Sequence, residues 1–488
     1  MPTAHSISPD EHAMLLRAYA RNNEPVPQEV NATLELVYGE LPTQLTGTHF
    51  RNGPGKQEAY GVPYDHPFDG DGMILRFAFD GERVRYRNRY VRTREFLAEE
   101  RAQRMLYRGF GTNLPGGLLA NGLRARFKNA ANTSVVYHAG RLLALWEGGL
   151  PHEIDPDSLA TLSRFDFDGA LLPDAPLERL LMPELPFSAH PTEDPRTGEL
   201  FNFGTMYGVE SSLLVYTIAP EGHVMDMRRI GLDRMSFVHD FVLTEHYLAF
   251  ALTPVVFDVP RALAGLSTPV ASLSRDPDAP TTILLAPRGG GEPLRFHAPG
   301  GFIFHYVNGF DEDGGQRVVL DGCWMDDLPS ADVAKQAMRG AAVAFEGASL
   351  VRMTVDVRAQ QVSLRDLAST TLELPSVHPG YVMRRHRYAY GISHAPGRRG
   401  SLMTAIARVD VEREHATHRD FFPDLPGEPL FVAHPGRDDE SEGWLLSLVY
   451  RSAEHISDLE ILDARTLETV ACVRLPHHVP QGFHSIFV

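Results

Sequence analysis

The 488-residue sequence predicts an all-β fold of many short antiparallel strands, and three observations carry that reading. From about residue 135 onward, apolar runs of mostly four to eight residues alternate with turns. The 42 glycines and 36 prolines are spread along the chain rather than gathered in one linker. Asp155–Thr161 and Asp463–Thr469 share an Asp-x-x-[Ser/Thr]-Leu-x-Thr pattern, a weak internal echo. Repeated hairpins of this kind suit the blades of a β-propeller, with a tandem sandwich as the competing architecture. No domain boundary is visible, so one domain over residues 1–488 is expected.

The N-terminus reads as a helix. Ser8 and Glu11 form a capping box, and Pro9 takes the first helical position. Ala13, Leu15, Leu16 and Tyr19 then give an apolar stripe that ends near Asn22, so residues 1–30 are expected to pack on the β domain as a helical segment. After Pro27 short strands take over. Thr48–Gly55 ends in a turn, and Phe68–Met73 is a second tight turn feeding a strand over Met73–Phe79. A calcium loop starting at Asp69 is excluded, because Ile74 stands where glycine is required and Asp80 where glutamate is. Asn52, Asp69 and Asp71 are read as turn formers.

Further strands are expected at Ser134–His138, Arg141–Trp146, Leu200–Gly204, Leu213–Ile218 and Phe241–Leu252. Others follow at Gly301–Val307, Arg317–Cys323, Tyr388–Ile392, Leu402–Val409 and Trp444–Tyr450. Two segments interrupt them. Arg94–Arg108 is charged and helical in pattern and leads into the glycine-bearing stretch Phe110–Gly122. Val259–Glu292, rich in Pro, Ser, Asp and Gly, reads as a long surface loop.

Composition removes several function classes. A net charge of −17 argues against nucleic acid, whose phosphates need clustered cations. Two cysteines, Cys323 and Cys472, make neither a disulfide framework nor a zinc motif. The first residues lack the basic region and apolar run of a secretory signal, and no stretch reaches the ~18 apolar residues of a membrane span. The cytoplasm is the default address. No Gly-x-Ser-x-Gly or Walker loop is present. Gly109-Phe110-Gly111 is not a dinucleotide fingerprint, since no strand precedes it. Only Lys56, Lys128 and Lys335 are lysines among 46 basic side chains, which leaves little room for lysine chemistry. Histidine and carboxylate remain, and with them a metal as the leading candidate.

Four of the 22 histidines sit in similar aromatic or small-residue settings: Ser188-Ala189-His190-Pro191, Phe237-Val238-His239-Asp240, Phe304-His305-Tyr306 and Gly482-Phe483-His484-Ser485. The last lies in an apolar tail with no charged side chain after Arg474, where a terminus is ordinarily frayed and polar. Their separations of 49, 66 and 179 residues match no short-range metal motif. Taken singly, each reads first as a core histidine bonded to a carbonyl.

A set of words in order resembles the carotenoid cleavage oxygenase family. They are Phe50-Arg51-Asn52-Gly53-Pro54, Phe68–Met73, Leu145-Trp146-Glu147-Gly148-Gly149, the four histidine segments, Glu373-Leu374-Pro375, Gly427-Glu428-Pro429 and Trp444–Tyr450. They run from residue 50 to the C-terminus. Each word is weak alone; the ordered set is specific. The resemblance implies a seven-bladed β-propeller, with short helices and loops capping the iron-bearing face. It implies ferrous iron, Fe(2+), on the axis, held by His190, His239, His305 and His484, with Glu147, Glu373 and Glu428 behind them. Three glutamates for four histidines leave one imidazole without a carboxylate.

The same resemblance implies a dioxygenase that splits a C=C bond of a carotenoid or apocarotenoid with O₂ into two carbonyl products, of retinal type. Thr133, Trp146, Phe237 and Phe304 are then expected to line an apolar substrate tunnel. A stilbene-cleaving relative is the alternative, but the lysine which that subgroup places before the glutamate is Trp146 here. A non-catalytic propeller scaffold is a further reading. A lipid-borne polyene needs a route from the bilayer, so Leu114, Leu118, Leu119 and Leu123 are candidates for an apolar patch touching one leaflet, with a helix packed on the propeller as the alternative.

Overall fold

The computed structural model describes residues 7–122, 127–174, 183–207 and 210–488. Seven sheets of four to six strands stand around a common axis as a seven-bladed β-propeller. Within blades the strands are antiparallel and follow the chain outward, as in the fifth blade, where Phe302–Glu312, Arg317–Met325, Ser349–Asp356 and Gln361–Thr371 pair in order. The sheets pack face against face. One core cluster joins Phe77 and Tyr86 of the first blade to Leu459 and Ile461 of the seventh, and another joins Ala249 and Ile283 of the fourth to Val318 and Met353 of the fifth. Burial between twisted sheets is what makes each run apolar on both faces.

Both chain ends close the ring. Glu35–Gly39 forms the outer strand of the seventh blade by pairing with Thr469–Arg474, and Ser485–Phe487 forms the innermost strand of the first by pairing with Thr46–Lys56. The C-terminal tail is therefore a strand, with His49 opposite Phe487 and Arg51 opposite Ser485. That pairing needs a close backbone approach. A Cβ added at Gly482 would lie 2.5 Å from the Arg51 guanidinium, and one at Gly53 would lie 2.6 Å from the Gly482 Cα.

The N-terminal helix spans Pro9–Asn22 with the Ser8–Glu11 capping box formed. Leu15 and Leu16 are fully buried, one against Leu425 and Tyr450 and the other against Ala337 and Val343. The internal echo marks one turn used twice. Leu159 and Leu467 donate their amides to Asp155 and Asp463, and both are buried with φ of 58° and 62°.

Three expectations are corrected. Phe241–Leu252 is not one strand but two, Val242–Leu243 and Tyr247–Leu252, because Thr244 closes a turn onto Tyr247. Val259–Glu292 is not a loop. It holds the helix Val259–Leu263, the short strand Leu273–Arg275 and the blade strand Thr281–Pro287. The helix begun at Arg94 stops at Ala102, where Gln103 turns left-handed with φ of 50°. No helix among the described residues is long and apolar enough to cross a membrane.

Replacing Gly482 with alanine forces the Arg51 side chain or the final strand to move, an overpacking cost of roughly 1–3 kcal/mol. The thermal midpoint of Gly482→Ala is expected to fall, together with retention of any metal held by His484. A variant that keeps both would show that the tail does not close the ring.

Candidate metal centre

The four histidines flagged in the sequence meet at the hub. His190 precedes the innermost strand of the third blade, His239 that of the fourth, His305 lies in that of the fifth, and His484 precedes that of the first. The innermost strands of the blades line the axis, so neighbours in space there come from segments far apart in sequence. Their ligand-capable nitrogens all lie within 4.8 Å of one another. His190 Nε2 stands 2.9 Å from His239 Nε2, and His305 Nε2 is buried with no protein partner. Two nitrogens about 2.0–2.1 Å from a shared divalent ion, at a right angle, would be about 3 Å apart. The donor set fits a borderline divalent cation.

The other three blades supply the carboxyl groups. Glu373 Oε2 is 2.6 Å from His305 Nδ1, and Glu428 Oε1 is 3.0 Å from His484 Nδ1. Glu147 Oε1 is 3.0 Å from His239 Nδ1, but off the direction of a well-aligned hydrogen bond. Among the described residues no carboxylate pairs with His190, so it is the imidazole left over. The contacts at Nδ1 leave each Nε2 free to offer its lone pair. Ser485 donates a short hydrogen bond to Glu428 Oε2, holding that carboxyl from its second oxygen.

Burial first, and neighbouring imidazoles second, hold His190 and His305 well below the usual histidine range, so both are neutral. Burial raises the Glu373 carboxyl to about 8. A divalent cation across the imidazole would oppose that rise.

A cavity of about 1130 Å³ ends against Phe304 and His305. Its inner wall is aromatic. Phe68, Phe110, Phe237 and Phe304 lie 6.0–6.2 Å apart between ring centroids along the chain of contacts, and Phe304 is 4.2 Å from the His239 ring. The charged side chains that reach the cavity besides Glu373 are Asp326, Asp327, Glu346, Arg365, Asp366 and Arg399, all exposed at its outer end.

Phe237 and Phe304 line this cavity; Thr133 and Trp146 do not. The Thr133 carbonyl instead accepts the His484 amide at 3.2 Å, and Trp146 packs over the Gly148 turn. The leucine patch is also redrawn. Leu114 is buried with Ala59, Tyr64 and Met105, because the Asn121 side chain holds its amide and carbonyl inward. Leu118 and Leu119 are exposed, Leu119 at 99%. Leu123 lies outside the described residues. Leu263 and Leu266 are exposed too, on a segment whose Gly265 touches the backbone of Asn121. Sequence reasoning missed them because their segment read as a polar loop. It also missed the wall residues Phe110, Val270 and Tyr19; only the flanking glycines of Phe110 hinted at a packed turn.

Fold and site together define a class: a β-propeller whose hub carries a four-histidine group able to hold a metal. The family model for the retinal pigment epithelial membrane protein matches residues 23–488, and the chain belongs to that family, the carotenoid cleavage oxygenases. Apocarotenoid-15,15'-oxygenase of Synechocystis sp. is 37% identical over 98% of this chain and 97% of its own. Resveratrol cleavage oxygenase 1 of Aspergillus fumigatus is 27% identical over 93% of this chain and 91% of its own. The crystal structure of cobalt-substituted Synechocystis ACO superposes with a TM-score of 0.89 at 35% identity, covering 97% of this chain and 98% of that one.

Carboxyl groups behind metal-binding imidazoles are typically worth 10–100-fold in affinity. Glu373→Gln and Glu428→Gln are each expected to weaken metal binding by about that factor in chelator competition. His484→Ala is expected to abolish retention.

Proposed function

We propose that this protein is a ferrous-iron dioxygenase that cleaves one C=C bond of an apocarotenoid or carotenoid polyene with O₂, giving two carbonyl products of retinal type. The observation that carries the reading is an apolar aromatic cavity whose inner end reaches His305, one member of the four-histidine group. Ferrous iron held by His190, His239, His305 and His484 would supply the activation of O₂ towards an electron-rich alkene.

The chain's own residues do the rest. Phe68, Phe110, Phe237 and Phe304 exclude water and hold a flat conjugated chain by its faces, which sets the double bond that lies before the hub. The cavity exceeds the usual ~300–1,000 Å³ of small-molecule sites, as a long rod-shaped substrate requires. Glu147, Glu373 and Glu428 orient their imidazoles. Adding both atoms of O₂ across the cleaved bond balances the reaction, so no side chain need move a proton.

The stilbene alternative has less support. No lysine lines the cavity, its one tyrosine is Tyr19 on the N-terminal helix, and Trp146 stands before Glu147. Lys128 is already bound to Asp71, Glu99 and Tyr64. Leu118, Leu119, Leu263 and Leu266 form an apolar surface suited to meeting one membrane leaflet, through which such a substrate would arrive.

Chelated protein reloaded with ferrous iron is expected to bind one iron per chain and to convert β-apocarotenals to retinal under O₂, with ¹⁸O from ¹⁸O₂ in both carbonyls. Chromatography with mass spectrometry reads the products. Turnover of resveratrol in preference to the polyenes would select the alternative, and protein that holds no iron would leave the scaffold reading.

A further inference from the structure

Arg108 is the largest fully buried side chain among the described residues, and the metal centre makes no use of it. No carboxylate among the described residues pairs with its guanidinium. Nε donates to Asn113 Oδ1 at 2.9 Å, Nη1 to the carbonyls of Asn121 at 3.4 Å and Ala262 at 2.8 Å, and Nη2 to that of Ser267 at 2.8 Å. The Phe127 ring lies 5.2 Å away. Asn121 ends the helix Gly117–Asn121, and Ala262, whose carbonyl also accepts the Gly265 amide at 3.1 Å, lies in the last turn of Val259–Leu263, where carbonyls carry partial negative charge. Helix ends thus replace the missing carboxylate.

The segment carrying Arg108 is itself anchored. Glu99 accepts the Leu106 and Tyr107 amides, Lys128 donates its amide to the Arg108 carbonyl, and Asp69 accepts from the Gly111 amide and Thr112 hydroxyl. Glu99 in turn binds the buried Lys128 ammonium. From this base the guanidinium reaches outward to two segments, one bearing Leu118 and Leu119 and the other Leu263 and Leu266. The second segment continues to Val270, which lines the cavity and donates its amide to the Phe110 carbonyl at 2.9 Å. The exposed leucines and the aromatic wall are therefore ends of one connected unit.

We propose that Arg108 is a positioning residue for substrate uptake: one buried guanidinium holds the 117–121 and 259–267 segments together as a rigid apolar mouth through which a lipid-borne polyene reaches the cavity. This rests on the polyene reading above. Lysine cannot substitute, because a single ammonium does not span acceptors that a planar fork reaches on separate sides.

The test uses iron-loaded full-length protein, Arg108→Met and Arg108→Lys, a β-apocarotenal delivered from phosphatidylcholine vesicles or from neutral detergent, and hydrogen exchange. In the unaltered protein, amides in 117–122 and 262–267 are expected to open together as one unit; independent opening would overturn the proposal without any variant. In Arg108→Met both segments are expected to exchange at least tenfold faster. KM for vesicle-borne substrate should rise several-fold, with kcat and iron content unchanged, and Arg108→Lys should not rescue. Faster exchange with an unmoved KM overturns the uptake role. Loss of kcat and iron in proportion to a lowered melting midpoint overturns it in favour of general stability. An unaltered protein that turns over no polyene refutes the functional reading instead, while its exchange pattern still decides whether the clamp exists.

Discussion

The pairing of Ser485–Phe487 with Thr46–Lys56 is the constraint on which the rest of this molecule depends. It completes the innermost strand of the first blade and delivers one of four imidazoles to the axis. The Asn52 amide donates to the His484 carbonyl, and the His484 amide donates to Thr133 in the second blade. The last residues therefore bind two blades to one another at the hub. A strand of three residues gains little from its own propensity, so its place rests on the ladder, on Gly482, which admits Arg51 beside it, and on Gly53, which admits the Gly482 backbone. Burial pulls that guanidinium down to about 10, against the opposing influence of Glu428 and Tyr86.

The distribution of charge follows from the same closure. Every blade sends a polar group to the hub, four as imidazoles and three as carboxyls behind them. Compensating charge for a divalent cation thus lies close but outside the coordination sphere. Glu373 apart, the cavity beyond is lined by no Asp, Glu, Lys or Arg side chain until its exposed rim. Buried charge elsewhere is spent on anchoring. Lys128 between Asp71 and Glu99, and Asp321 between Arg352 and His386, are paired on more than one side, which is what makes their desolvation tolerable. The Lys128 group and Asp69 steady the segment from Met105 to Thr112, and that segment carries Phe110 into the aromatic wall.

Legibility tracked how local the determining interaction was. The capping box and Pro9 located the start of the first helix and the apolar stripe its end near Asn22, since each signal acts within a turn or two. Strands bounded by Gly, Asn and Asp turns, such as Ser134–His138 and Arg317–Met325, were placed to within two residues. Phe241–Leu252 misled because a hairpin of two buried strands is apolar throughout, and its turn relies on Thr244 rather than on glycine or proline. Leu114 misled because periodicity cannot tell a side chain facing a membrane from one facing a small core; the Asn121 amide made that choice.

Residue identity and order along the chain were enough to establish the all-β character, the first helix, the family resemblance and the four histidines as a set worth testing, because each rests on words a few residues long. Which imidazole goes without a carboxyl, which leucines face outward, and how Arg108 spans two helix ends were decided only by tertiary structure. Those facts depend on distances between segments tens to hundreds of residues apart. Such distances are set by the angle between blades and by the approach of one backbone to another, and no local pattern encodes them.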